Sequence, residues 1–240
     1  MIRTVRLRLA TLPLRAALVL PPTAALALPP LALAASGGSG IVVGGGPAAT
    51  TAQRASVTGD GITLSSRDAT LLHGWLPVRG ALSPAAGGRT VELQQQSGPS
   101  WTTVATAATA PDGSFQVIWH PNVWGSIALR AALSSDSRVS PPLTITVYRP
   151  SIATLYGPGL WRRHTACGEK LTPKTLGVAN RRLPCGTPVS LYYHGRTIVV
   201  PVIDRGPYAN HAHWDLTMAT GAALGMEETE TIGALAQPSG

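Results

Sequence analysis

The stretch VIDRGPYANHAHWDLT, at 202–217, places two aspartates, Asp204 and Asp215, eleven residues apart among His, Tyr and Trp in a chain with only 11 acidic residues out of 240. Between positions 151 and 226 the acids are Glu169, Asp204 and Asp215 alone. Sparse carboxyls in distinct local settings suit general acid–base work, in which one carboxyl stays protonated near neutral pH and delivers that proton in the transition state. Asp204 closes a mostly apolar run, 198–203, that reads as a strand carrying it to a rim. Burial there raises a carboxyl pKa and the neighbouring Arg205 lowers it. The competing reading is an aspartate that bonds backbone N–H groups in the turn ahead of Gly206 and Pro207. Glu169 follows Cys167 by two positions and reads either as a preorganised site carboxyl or as an exposed loop glutamate beside Lys170. Asp215 precedes LTMATGAALG and reads as a helix N-cap, with Gly225 as the stop, a role compatible with chemistry.

The elements that must position these acids are strands. SIATLY (151–156), VSLYYHG (189–195) and TIVVPVID (197–204) alternate or run apolar between Gly-, Pro- and Asn-rich turns, and a short element is expected at 167–169. One short helix among five or six strands in roughly 85 residues fits a small closed barrel, because closure leaves no edge strand. Upstream, about seven short apolar runs over roughly 90 residues, broken by turn signals such as P-D-G at 111–113, predict an antiparallel β-sandwich. That pattern resembles the immunoglobulin-like modules of bacterial surface proteins. Trp75, Trp101, Trp119 and Trp124 read as core or edge aromatics there, with a sugar-binding platform as the other possibility. The expected fold class is therefore all-β: an immunoglobulin-like β-sandwich at 55–149, then a small barrel with one short helix at 150–236, the boundary falling at Tyr148-Arg149-Pro150.

The first 34 residues combine Arg3, Arg6, Arg8 and Arg15 with an apolar stretch ending in Ala32-Leu33-Ala34, the pattern of a cleaved secretory signal. Pro21, Pro22, Pro29 and Pro30 argue against a retained spanning helix. Gly- and Ala-rich sequence at 35–54 predicts a flexible linker. Loss of the four leader arginines takes the formal charge from +8 to +4. No basic run is long enough to argue for nucleic acid, while a mild positive balance suits an anionic polymer as well as it suits an ordinary basic surface. In an exported chain the two cysteines, Cys167 and Cys185, are expected as a disulfide worth about 3 kcal/mol. They lack the second ligand pair that zinc requires, and no metal or other cofactor is expected.

Four blocks in order, ATLYGPGLWRRHTACGE, VANRRLPCGT, VVPVIDRGPY and HWDLTMATGAALGM, resemble the rare lipoprotein A (RlpA) family over about the last 85 residues. The resemblance implies a double-psi β-barrel, a fold shared with expansins and family-45 endoglucanases. It also implies septal peptidoglycan lytic transglycosylation, in which the muramic C6 hydroxyl attacks its own C1 and leaves a 1,6-anhydro sugar. One carboxyl then serves as acid and afterwards as base. By this likeness Glu169 (from T-A-x-G-E, which also brings in Thr165), Asp204 (from D-R-G-P) and Asp215 (from the D-L motif of related barrels) are the catalytic candidates. Tyr156, Trp161, Asn180, Arg205, Tyr208 and Trp214 join Thr165 as substrate-binding candidates: aromatic faces stack on sugar rings, and arginines meet muramic carboxylates. Two positions depart from the family pattern. Asn180 stands where A-H-x-x-L-P has a histidine and cannot titrate, and Thr172 stands where many relatives have Asp. His164, His211 and His213 are spatial substitutes or surface histidines. The implied partner is peptidoglycan glycan strands and the implied location extracytoplasmic, secreted or wall-associated. A non-catalytic peptidoglycan-binding or expansin-like wall-loosening module is the alternative.

Overall fold

The computed structural model describes residues 48–208 and 211–237, which belong to one compact unit of the chain. The leader expected at 1–34 and the linker up to residue 47 lie outside the described residues. In chain order the first elements are β1 (Thr50–Thr51), β2 (Arg54–Gly59), β3 (Ile62–Arg67), β4 (Ala69–Leu71), β5 (Leu76–Leu82), β6 (Thr90–Ser97), β7 (Ser100–Ala108), β8 (Ser114–Trp119), β9 (Gly125–Leu133) and β10 (Leu143–Tyr156). Strands β2, β3, β5 and β8 form one antiparallel sheet; β7, β6, β9 and β10 form the other, with β4 added in parallel to β10. Period-2 alternation turns Leu64, Val78 and Trp119 of the first sheet and Leu93, Leu129 and Ile145 of the second into a single core. The P-D-G turn forms as its residue types dictate: Asp112 Oδ1 accepts from the Ser114 N–H at 3.0 Å, and Gly113 takes a φ of 78°.

The second half is β11 (Val178–Ala179), β12 (Pro188–Tyr193), β13 (Arg196–Asp204), β14 (Trp214–Thr217), helix α1 (Met218–Leu224) and β15 (Glu230–Ala236). With the C-terminal half of β10 these strands close a ring in the order β10, β15, β12, β13, β11, β14 and back to β10. Closure leaves the six strands without a free edge, as the short, evenly spaced apolar runs require. The interior is apolar: Val189 and Leu191 from β12, Ile198, Val200 and Val202 from β13, Leu216 from β14 and Ile232 from β15. Outward Val199 and Pro201 alternate with them. Apart from α1, the described regular structure is β.

Three local expectations change. Asp215 does not cap the helix: it lies within β14, and Thr217 is the N-cap, its side chain accepting from the Thr220 N–H at 3.2 Å. Both residues are good N-caps by type; strand pairing of Asp215 with Thr154 decides between them. Gly225 does end the helix, with φ 78°. Residues 167–169 form turn and bend rather than an element. Thr50 and Thr51, placed in a linker by composition, pair with Thr197 and Arg196 on β13.

Strand β10 is continuous through Arg149 and Pro150 and serves both halves of the molecule. The crossing is packed. The Tyr148 hydroxyl lies 2.9 Å from Ser190 Oγ, and its ring stacks on Tyr192 at 5.3 Å. Gly233 is needed there, since a Cβ at that position would lie 2.5 Å from Tyr148 Cβ and 2.8 Å from Leu71 Cδ2.

Candidate active site

The site is built by register across four barrel strands. Ala179 of β11 is paired with Asp204 at the end of β13 on one side and with Asp215 of β14 on the other. Asp215 is in turn paired with Thr154 of β10. Asp204, Ala179, Asp215 and Thr154 thus form one cross-strand row, with two strand spacings, roughly 10 Å of backbone, between the two aspartates. A β-bulge between Val178 and Ala179 sets this alignment. Ala179 itself is buried, 3% exposed, between the two carboxyl-bearing strands.

The two aspartates differ in their partners. Asp204 Oδ1 accepts from the N–H groups of Ala166 at 2.9 Å and Arg205 at 2.8 Å. Its carboxylate therefore anchors the 165–169 loop as well as its own turn. Asp215 is half-buried and takes one hydrogen bond, from the Thr154 hydroxyl at 2.8 Å. Burial pushes its pKa above the ordinary aspartate value, the Thr154 bond opposes that rise, and the negative charge of Asp204 adds to it. A carboxyl placed in this way is held toward its protonated form beside a second acid, the arrangement a proton donor needs.

Tyr156 completes this cluster. Its hydroxyl is buried and has no hydrogen-bond partner. Burial first, then the charges of Asp204 and Asp215, hold the phenol well above its usual range. A buried hydroxyl costs free energy unless something bonds to it, so Tyr156 holds an unpaired donor, closed to solvent, near the acid pair. Asp215 and Thr154 line a cavity of about 320 Å³ with Arg205, Pro207 and Tyr208. Tyr208 is 79% exposed, leaving its ring free on the cavity rim.

The other expected residues are distributed as follows. Glu169 is exposed, and the contacts at this residue are through its backbone: its N–H donates to Thr165 Oγ1 at 3.1 Å, and its carbonyl accepts from the Thr165 N–H. Thr165, 8% exposed, shapes the loop that Ala166 ties to Asp204. The Cys167–Cys185 disulfide forms, joining that loop to the segment before β12. Arg205 donates to the carbonyls of Asn180 at 3.3 Å and Asp204 at 3.4 Å. Asn180 Oδ1 accepts from the N–H groups of Arg182 and Leu183, both at 3.0 Å. Its side chain therefore holds a turn, a duty the histidine of the family pattern would perform differently. Trp161 packs against Gly157, where a Cβ would lie 2.3 Å from the indole. Trp214 is 7% exposed and belongs to the barrel core. His164, His211 and His213 are all exposed.

Thr154 went unremarked in the sequence, although its outward place between Ala153 and Leu155 in SIATLY was a usable signal. Trp119 is buried in the sandwich core, but Trp75 and Trp124 are 76% and 54% exposed. The core reading fails for those two because both fall in loops outside the alternating strands.

A closed six-stranded barrel mixing parallel and antiparallel pairs, with acids on one cross-strand row, defines a double-psi β-barrel with a candidate acid site. Comparison with known proteins agrees: residues 151–234 match the family described as "Lytic transglycolase", a double-psi barrel family. Similar curated proteins include "Probable endolytic peptidoglycan transglycosylase RlpA" of Synechocystis sp., 36% identical over 107 residues, covering 43% of this chain and 33% of that protein. The protein of the same name from Aquifex aeolicus is 38% identical over 81 residues, covering 33% of this chain and 36% of that one. Among solved structures, the Streptomyces papain inhibitor matches with 28% identity and a TM-score of 0.28, covering 35% of this chain and 91% of that chain. The chain thus spans about a third of the length of these two curated relatives. Its segment 151–234 matches a double-psi β-barrel family and is similar to these RlpA proteins.

Proposed function

We propose that this chain is an exported cell-wall protein whose barrel cleaves peptidoglycan glycan strands by lytic transglycosylation. The observation that carries the reading is Asp215: half-buried, raised in pKa, in one cross-strand row with Asp204 and open to a cavity. In the first step Asp215 gives its proton to the glycosidic oxygen as the bond from muramic C1 to that oxygen breaks. In the second, the C6 hydroxyl of the same muramic residue bonds to C1 while its proton passes to Asp215. The carboxyl is regenerated, no water is consumed, and the product carries a 1,6-anhydro end.

Asp204 raises the proton affinity of Asp215 and fixes the loop beside it. Tyr156 donates a hydrogen bond to bound sugar. Arg205 and Tyr208 contact the strand on the rim, and Glu169, on the loop pinned by Asp204 and the disulfide, faces substrate from the same edge. Thr165 and Asn180 hold backbone in place around the site, and Trp161 and Trp214 support its walls. The upstream β-sandwich is of immunoglobulin-like type and acts as a wall-side partner of the barrel. The chain's family likeness and its disulfide support an extracytoplasmic location.

Incubating the protein with purified glycan strands and analysing products by mass spectrometry tests the proposal. Anhydro-muramyl ends, one water lighter than hydrolysed ends, are expected. Tight binding without cleavage would favour the wall-binding alternative.

A further inference from the structure

A cavity of about 620 Å³, which Asp215 does not line, lies where Trp124 and Arg149 from the sandwich half meet Asn180, Arg181, Arg182 and His213 of the barrel. Among the described residues no carboxylate lines it. Trp124 is 54% exposed, and the Arg149 guanidinium lies 5.5 Å from the centre of its indole ring. Arg181 is committed to the fold, since its guanidinium donates to the carbonyls of Pro207 and Ala212. Arg149 and Arg182 are exposed, and the salt bridges among the described residues, which join Asp136 to Arg89 and Arg138, involve neither. An exposed tryptophan with two arginines that have no acid partner is costly surface to leave idle, and its chemistry is complementary to an anionic saccharide.

Lining residues are shared between this cavity, a second one and the cavity at Asp215. Tyr208 lines both the cavity beside Asp215 and a second one of about 600 Å³. Arg181 and His213 line that second cavity and the large one. The three form a run from the acid pair to the crossing between the two halves. That crossing is held by the continuous β10 and the Tyr148–Ser190 contact.

We propose that Trp124, Arg149 and Arg182 form a second subsite that binds a carboxylate-bearing part of the glycan strand away from the cleaved bond. The sugar face stacks on Trp124, and the two guanidiniums bind its carboxylate. The inference rests on the transglycosylase reading for the polymer class. It gives the sandwich half a share in substrate binding. Two sources supply the carboxylate: the lactyl group of denuded muramic acid and the stem peptide.

The test measures binding rather than turnover, using the full chain with D215N so that strands stay intact. Denuded strands, stem-bearing strands and neutral chitin oligosaccharides of matched length are titrated against D215N and against D215N carrying W124A, R149A and R182A together. The added changes are expected to weaken binding of carboxylate-bearing strands about tenfold and to flatten its salt dependence. Chitin is expected to lose less, by stacking alone. A loss confined to stem-bearing strands assigns the peptide carboxylates, a loss confined to denuded strands, where alone the lactyl carboxylate is free, assigns the lactyl group, and a loss on both shows that the subsite takes either carboxylate. All three changes are on exposed side chains, and an unchanged thermal transition checks the fold. Equal binding by the two proteins, or no binding of either strand by D215N, overturns the subsite. If binding falls as expected while the wild type yields no anhydro ends, the subsite stands and the transglycosylase reading falls.

Discussion

Asp204 and Asp215 flank Ala179 in one cross-strand row, so two acids from separate strands share a field, yet Asp204 is tied to two backbone N–H groups and Asp215 to the Thr154 hydroxyl. The inequality gives each a different task and makes their roles separable by experiment.

The first consequence is a pH dependence. A donor must hold its proton, so turnover should fall as pH rises through the raised pKa of Asp215. Removing the neighbouring charge with D204N lowers that pKa, and the alkaline limb of the kcat profile should move to lower pH. An unmoved limb would separate Asp204 from the titrating group.

Stability follows from the same shift. The folded state binds the Asp215 proton more tightly than the unfolded chain does. This group's contribution is therefore full below the ordinary carboxylate range and is lost as pH rises through the raised pKa. D215N keeps an oxygen for Thr154 and removes the charge. Its Tm should exceed that of the wild type near neutral pH, with the difference closing in acid.

Tyr156 should divide stability from activity. Its hydroxyl has no partner in the folded chain, so Y156F should leave Tm unchanged or raise it. If the hydroxyl bonds substrate, kcat/KM should fall about tenfold or more, the loss of one good hydrogen bond. A drop in Tm would mean that the hydroxyl is satisfied within the fold.

The crossing of the two halves should tolerate no added atom at Gly233. G233A forces a methyl against Tyr148 and Leu71 and should cost about 1–3 kcal/mol, read as a lower Tm. A neutral substitution would show that β10 and β15 can part there without loss.

The chemistry was more legible than the geometry. Asp204 and Asp215 stand out because acids are scarce around them, and the barrel's inward residues follow from simple alternation. The row itself is invisible in sequence, because it depends on two-residue β11 and a bulge, features too short to leave a periodic signal. Asp215 reads as a helix cap because Thr217, two positions on, satisfies the same rule; only pairing with β10 settles it. The boundary expected at Tyr148-Arg149-Pro150 brings no break in the strand, since Pro150 is paired with Gly233 inside β10. Trp124 reads as a core or edge aromatic, or as part of a sugar-binding platform, because composition does not report which loop carries it.

The central claim is that Asp215 supplies the proton for glycan cleavage. The most direct measurement compares the release of anhydro-muramyl ends from purified strands by wild type and D215N at matched concentration. A loss of about a hundredfold or more is predicted, the scale of a missing general acid. Turnover by D215N at the wild-type rate, with the same anhydro product, would contradict it.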